Sequence, residues 1–377
     1  MDIDTLLSGP LETWQAGAAP ADDVVISSRV RLARNLADSK FPYFAELEEL
    51  QEIETKVKRA LPALAEVEGT VPTYIGLGGL DVIDMQVLVE KHLVSPQFIT
   101  DTAHRGLVVN EDASLAMMVG EEDHLRIQCM AGGFRLTPVL EHAESVERRL
   151  GEKIPFAFDE RWGYLTACPT NVGTGMRASL MIHVPALVRT KKIQRLIRNM
   201  MKLNFSVRGM YGEGSDMIGN VFQLSNQITL GMSEADIVAA LQRVGEELVK
   251  EERQAREFLK ERESAALEDE IWRAYGILRY ARRISGKEAM TLLSTVELGR
   301  VLGWLPQVPV SAFRELTVLT RPGFLQRYIR RPELPETERD EWRAVVIRDR
   351  FQSYERDCEK DKELNSKETN CKDEQSK

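Results

Sequence analysis

Hydrophobic positions along the first 230 residues change period many times. From Asp23 the run Val24-Val25-Ile26 opens a strand that continues through Arg29-Val30-Arg31-Leu32. Between 46 and 66 the apolar positions Leu47, Leu50, Ile53 and Val57 fall at helical spacing. Residues 73–80 are glycine-rich and read as irregular. Residues 84–94 read as a second helix, ended by Ser95-Pro96 because the residue before proline is pushed out of the α region. Residues 107–127 read as strands. Two apolar runs, 114–119 and 125–130, flank Gly120-Glu121-Glu122-Asp123-His124, so the acids fall where the chain turns. Residues 137–150 are helical again.

Next come a strand from Tyr164, a polar glycine loop and the apolar run 180–185. Residues 190–204 form a basic amphipathic helix, and 205–215 a strand running into a glycine-flanked loop. Residues 218–230 complete this half. Short strands separated by helices, without a regular βαβ rhythm, predict an α+β fold with an antiparallel sheet flanked by helices. From Ser233 the pattern changes. Ile237, Leu241, Val244 and Leu248 make a helical stripe, and helices follow at 267–284, from Ser285 with Glu288 three residues on, near 312–320 and near Thr337. This half is all-α. The expected layout is a flexible lead-in at 1–20, an α+β domain at 21–255, a helical C-terminal domain at 265–352 and a disordered polar tail at 355–377.

Composition narrows the function classes. The 377 residues are 43% hydrophobic and 29% charged, as in an ordinary water-soluble chain. A net charge of −9 argues against direct nucleic-acid binding by bulk electrostatics. Cys129, Cys168, Cys358 and Cys371 show neither metal-ligand spacing nor a disulfide framework, which points to a reducing cytoplasm. No metal site is expected from protein ligands alone. The acidic Met-Asp-Ile-Asp start has no apolar core, and no run is long enough to span a membrane, so neither a secretory leader nor a membrane segment is expected.

The chemistry lies in arginines and acids near strand ends. Arg29 and Arg31 are two apart and project to one face of an extended strand. They are either a surface pair or two sides of an anion site. Arg126, Arg177 and Arg208 also stand beside polar turns or glycines, and five guanidinium groups on one pocket would suit a polyphosphate. The acidic turn is either solvated or a cation site. Paired with Glu213 in another loop, Glu122 could hold a planar guanidinium and take its proton. Cys168, beside a proline, is either a small buried hydrophobe or a thiolate along the same cation. His124 reads as structural and Cys129 as core.

Four stretches in this order resemble the signature set of the phosphagen (guanidino) kinases: Ser27-Ser28-Arg29-Val30-Arg31, Glu121-Glu122-Asp123-His124-Leu125-Arg126, the run Cys168-Pro169-Thr170-Asn171-Val172-Gly173-Thr174-Gly175-Met176-Arg177, and Arg208 with Glu213. The small-molecule members carry a helical domain before the first motif. Here the arginine pair already stands at residue 29 and a helical region follows instead, a layout similar to the bacterial protein arginine kinase branch of the family. The resemblance implies ATP and Mg2+ as cofactors. It implies that Arg29, Arg31, Arg126, Arg177 and Arg208, with Ser27 and Ser28, bind the nucleotide, and that Glu122, Glu213 and Cys168 are catalytic. It implies a homodimer, phosphoarginine binding by Arg339 and Asp340 at a helix start capped by Thr337, protein substrates with exposed arginines, and McsA activator, CtsR repressor and Clp protease partners. A kinase for free arginine or another small guanidine, and a non-catalytic phosphoarginine-binding adaptor, are the competing readings. Gly120 departs from the family's usual asparagine and is expected to loosen the turn.

Overall fold

The computed structural model describes residues 3–10, 15, 18–209 and 218–374, with side chains to residue 360. The chain divides into two compact units at Ala255/Arg256. The first is built on an eight-stranded sheet: β1 (Val25–Arg34), β2 (Thr73–Gly76), β3 (Gly106–Val109), β4 (Leu115–Val119), β5 (Leu125–Gly132), β8 (Met176–His183), β9 (Phe205–Arg208) and β10 (Val221–Asn226). A separate hairpin pairs β6 (Phe158–Asp159) with β7 (Gly163–Tyr164). The large sheet runs β2-β3-β4-β5-β1-β8-β10-β9, and every neighbouring pair is antiparallel.

Alternation along β1 explains the sheet's two faces. Val30 and Leu32 are buried on one side, while Arg29 and Arg31 point to the other. Helices of this unit include α1 (Ile3–Ser8), α2 (Leu47–Ala60), α3 (Val82–Glu90), α4 (Leu136–Gly151), α5 (Pro185–Arg189) and α6 (Ile193–Lys202). The apolar stripe of α4, Leu136, Val139, Leu140, Ala143, Val146 and Leu150, is buried, and the helix lies against β1 and β5. Full burial of each large aliphatic side chain contributes roughly 1.5–3 kcal/mol. Arg34, the third arginine of β1, shares the face of Val30 and Leu32 and is 1% exposed. Its Nε meets Glu147 of α4 at 2.9 Å, Nη1 donates to the Thr174 carbonyl at 3.0 Å, and the group stacks over the Tyr164 ring. It is a structural arginine.

The glycine-rich stretch expected to be irregular supplies β2, an edge strand, before turning at Leu77–Gly79. Cross-strand pairing to β3 sets this strand, and residues 73–80 carry little apolar alternation to announce it.

Helix α7 (Glu234–Arg262) leads into the second unit, which holds α8 (Ser264–Tyr280), α9 (Gly286–Val301), α10 (Ala312–Leu319), α11 (Pro322–Tyr328) and α12 (Glu336–Glu374). Ser285 caps α9 by accepting from the Glu288 N–H at 3.2 Å. Arg343 binds α12 to the rest of the unit, donating to the Thr320 and Ile284 carbonyls at 2.9 Å each. The segment from 355, expected to be a disordered tail, continues α12 as helix to Glu374. Its first residues are anchored: Glu355 accepts from Tyr275 Oη at 2.5 Å and from Arg279 Nε at 3.1 Å. Among the described residues no helix is long and apolar enough to cross a membrane.

Candidate active site

The polar face of the sheet builds a cavity of about 390 Å³. Register brings its cations together. Arg31 stands directly opposite Arg177 on β8 and Gln128 on β5, and Ala33 opposite Arg126. Arg29 is paired with Ser179, and Gln223 on β10 with Arg208 on β9. Arg29, Arg31, Arg126, Arg177 and Arg208 therefore line one cavity from four strands, with Glu122, Cys168, Gln128 and Gln223.

Arg29 is held in three places: Nη2 donates to Gln223 Oε1 at 2.7 Å, Nε to Ser179 Oγ at 3.3 Å and Nη1 to Gln128 Oε1 at 3.4 Å. All three acceptors are neutral, so the charge is oriented without being cancelled. Burial, then Arg177 and Arg126, pull its pKa down to about 10. Arg31 is pushed further down by burial and by Arg29, Arg126 and Arg177, against the opposing pull of Glu121, and its buried Nε has no hydrogen-bond partner among the described residues. Cations crowded in this way favour an anion between them. Ser27 and Ser28, expected among the nucleotide contacts, do not line the cavity. The Ser28 hydroxyl is on the other face, donating to the Gly133 carbonyl and accepting from the Arg135 N–H, both at 2.8 Å, where it fixes the approach to α4.

The acidic turn divides its work. The hairpin closes with Gly120 N–H donating to the His124 carbonyl at 2.9 Å, and Gly120 has φ +80°, the left-handed region. Glycine fits this position, so the turn is not loosened. Glu121 is buried, pairs with Arg126 Nη1 at 2.5 Å and accepts from Ser95 Oγ. It aims Arg126 into the cavity. Glu122 is half exposed at the rim, its Oε2 3.1 Å from Arg126 Nη2. Asp123 is fully buried, and its Oδ1 accepts from Asn35 Nδ2 and from the Ala167 N–H at 2.7 Å each. This carboxylate fastens the turn to the loop that carries Cys168. His124 accepts from the Leu36 N–H at Nδ1 (3.0 Å) and contacts the Lys40 carbonyl through Nε2 (2.8 Å), and burial lowers its pKa. These contacts give it a structural role.

Cys168 is partly buried at the cavity wall, with Sγ 3.0 Å from Thr170 Oγ1 and a trans bond to Pro169. Cys129, by contrast, lies in the core with its thiol pKa raised by burial. Gly175 lines the cavity beside Arg177. A Cβ there would come 2.7 Å from the Ala33 carbonyl oxygen, and its φ is +61°, so the loop can close on β1 only with glycine. Glu213 lies outside the described residues. Sequence reasoning missed Gln128, Gln223, Glu121 and Ser95. Only their parity on the strands or their place beside the turn and proline could have suggested them.

In the second unit, Arg339 and Asp340 lie in the first turns of α12. The helix starts at Glu336, with Arg339 N–H donating to the Pro335 carbonyl, so Thr337 is inside the helix rather than its cap. Arg339 Nη1 donates to the Leu334 carbonyl at 2.7 Å, and Asp340 Oδ1 pairs with Arg343 at 2.5 Å.

Family models match two segments: the ATP:guanido phosphotransferase C-terminal catalytic domain over residues 52–255, and the protein-arginine kinase McsB C-terminal domain over 264–364. A protein-arginine kinase of Geobacillus sp. (strain WCH70) is 44% identical over 364 residues, covering 94% of this chain and 98% of the relative. Those of Brevibacillus brevis and Syntrophomonas wolfei are 43% and 44% identical, each covering 94% of this chain and 99% of the relative. Among solved structures, the duplicated taurocyamine kinase of Schistosoma mansoni with bound transition-state-analogue components matches with TM-score 0.57 and 27% identity, over 67% of this chain and 36% of that one. Lombricine kinase matches in fold with TM-score 0.54 and 24% identity, over 65% of this chain and 72% of that one. With both family segments matched in order and relatives aligned along nearly their whole length, the chain belongs to the protein-arginine kinase family of guanidino phosphotransferases.

Proposed function

We propose that this chain is an ATP-dependent protein kinase that phosphorylates arginine side chains. The observation that supports it most is the convergence of five arginines, Glu122 and Cys168 on one cavity. ATP supplies the γ-phosphoryl group. Arg29, Arg31, Arg126, Arg177 and Arg208 would hold its phosphate oxygens with forked donors and neutralise charge as the group moves. The unpartnered Nε of Arg31 and the repulsion among these cations fit such an anion. Mg2+ brought in with the nucleotide would add to the arginines' neutralisation of the phosphate charge.

The acceptor side falls to Glu122, Glu213 and Cys168. A guanidinium is a poor nucleophile because it holds its proton at any physiological pH. Glu122 at the rim would orient the acceptor and take the proton lost as nitrogen attacks phosphorus. Glu213 would hold the second edge of the group, and Cys168 would lie along it. We assign phosphoarginine binding to Arg339 and Asp340, and homodimerisation to the second unit, on the strength of the family alone. Kinship also supports a cytoplasmic location and partnership with McsA, CtsR and a Clp protease.

The test is incubation with ATP and either an unfolded protein or free arginine, followed by mass spectrometry under non-acidic conditions. Phosphoarginine in the protein is expected. Label on free arginine alone would refute the reading. Glu122→Ala should abolish transfer and leave ATP binding in place.

A further inference from the structure

The basic amphipathic helix is not used by the cavity. Residues 161–212 hold nine lysines and arginines and no aspartate or glutamate, in a chain whose net charge is −9. Arg177 and Arg208 line the cavity. Most of the others gather at α6. Arg195, Arg198 and Lys202 stand at i, i+3 and i+7, so they share one helix face, and all three are exposed. Lys191 and Lys192 precede the helix, whose first turn has no acid, so they stand where the helix dipole disfavours cations. Among the described residues Lys191, Lys192, Arg195, Arg198 and Lys202 make no ion pair. The opposite face is anchored by buried Ile193 and Met200. Beside Lys202, Met201 and Leu203 are each 60% exposed.

The ridge is close to the reaction. After the Leu203-Asn204 turn, β9 runs four residues to Arg208 at the cavity wall, about 10 Å of strand. We propose that this face of α6 docks an acidic stretch of the protein substrate and so raises the effective concentration of that substrate's arginines at the cavity. This rests on the protein-kinase reading above. The cations are spaced about 4.5 and 6 Å along the helix axis. Carboxylates at alternate positions of an extended chain repeat every 6.8 Å or so, a workable match. Met201 and Leu203 add room for an apolar side chain. A nucleic acid fits less well. The ridge carries no aromatic ring on which bases could stack, and the chain's overall negative charge repels a long polyanion.

The test uses the full-length protein and a fluorescein-labelled peptide of alternating glutamate and leucine that lacks arginine. Anisotropy at low salt should show binding. Arg195→Glu/Arg198→Glu/Lys202→Glu should weaken it by about tenfold, and the corresponding triple glutamine variant by several-fold. Two acceptor peptides, identical around one arginine but extended by glutamates or by glutamines, should differ in KM and not in kcat. The variants should remove that difference and leave turnover of the glutamine peptide unchanged. Equal binding by parent and variants, or equal KM for both peptides with the parent, would overturn the proposal. So would variants that lose a single-stranded oligonucleotide yet keep the acidic peptide. If neither acceptor peptide were phosphorylated, the kinase reading would fail, and the anisotropy would decide docking alone.

Discussion

Replacing Asp123 separates the acceptor oxygen from the charge. Both of its hydrogen bonds, from Asn35 Nδ2 and from the Ala167 N–H, converge on Oδ1, while the buried Oδ2 has no hydrogen-bond partner among the described residues. Asp123→Ala would leave two donors unmet, one buried and one partly buried. At about 1–3 kcal/mol for each unmet group, the loss should be about 2–6 kcal/mol. Asp123→Asn keeps an oxygen at the Oδ1 position and weakens two charge-assisted bonds to neutral ones, a loss of about 1–2 kcal/mol. Urea unfolding of both variants, followed by circular dichroism, measures the difference. Because Ala167 precedes Cys168, both variants should also raise KM for the protein acceptor. KM for ATP should change little, because the arginines stand on the sheet. An asparagine variant as unstable as the alanine one would refute the reasoning, since the charge and not the oxygen would then hold the loop.

Arg31→Met should raise the melting temperature of the nucleotide-free protein by relieving a buried cation of its neighbours Arg29, Arg126 and Arg177, and should abolish the further rise on adding ATP; thermal shift with and without nucleotide reads both. His124 is held neutral, with a folded pKa below the unfolded value near 6.5. Its contribution to stability is present above that value and is lost as pH falls through the folded pKa, so acid destabilisation below about pH 6.5 should be shallower in His124→Gln, as followed by melting temperature against pH. Cys168→Ser keeps a partner for Thr170 Oγ1 and should raise KM for the acceptor while nucleotide affinity stays put, which steady-state kinetics with each substrate varied would show.

Much of the cavity was legible because its logic is local. Arg29 and Arg31 need only strand parity to share a face, and the glycine loop beside Arg177 announces a close approach. Arg34 was equally visible as a charge, yet one step of parity turned it toward Glu147 and the core. Ser28 shows the same limit: a hydroxyl inside a motif says nothing about which face it takes. The closures made over long sequence separations were silent. Asn35 to Asp123 spans 88 residues and Arg29 to Gln223 spans 194, and no local pattern encodes either. At the tail, composition predicted disorder, but Tyr275 and Arg279 of another helix reach Glu355.

The order of strands sets when the cavity can exist. β10 lies between β8 and β9, so the strand bearing Arg208 has no place in the sheet until a later segment has threaded in beside it. A chain still emerging from the ribosome, or one cut before residue 221, keeps Arg29, Arg31, Arg126 and Arg177 but has nothing to seat the fifth. The five-arginine cavity is thus among the last features of this unit to mature, and a kinase built this way would stay inert until its own sheet is finished.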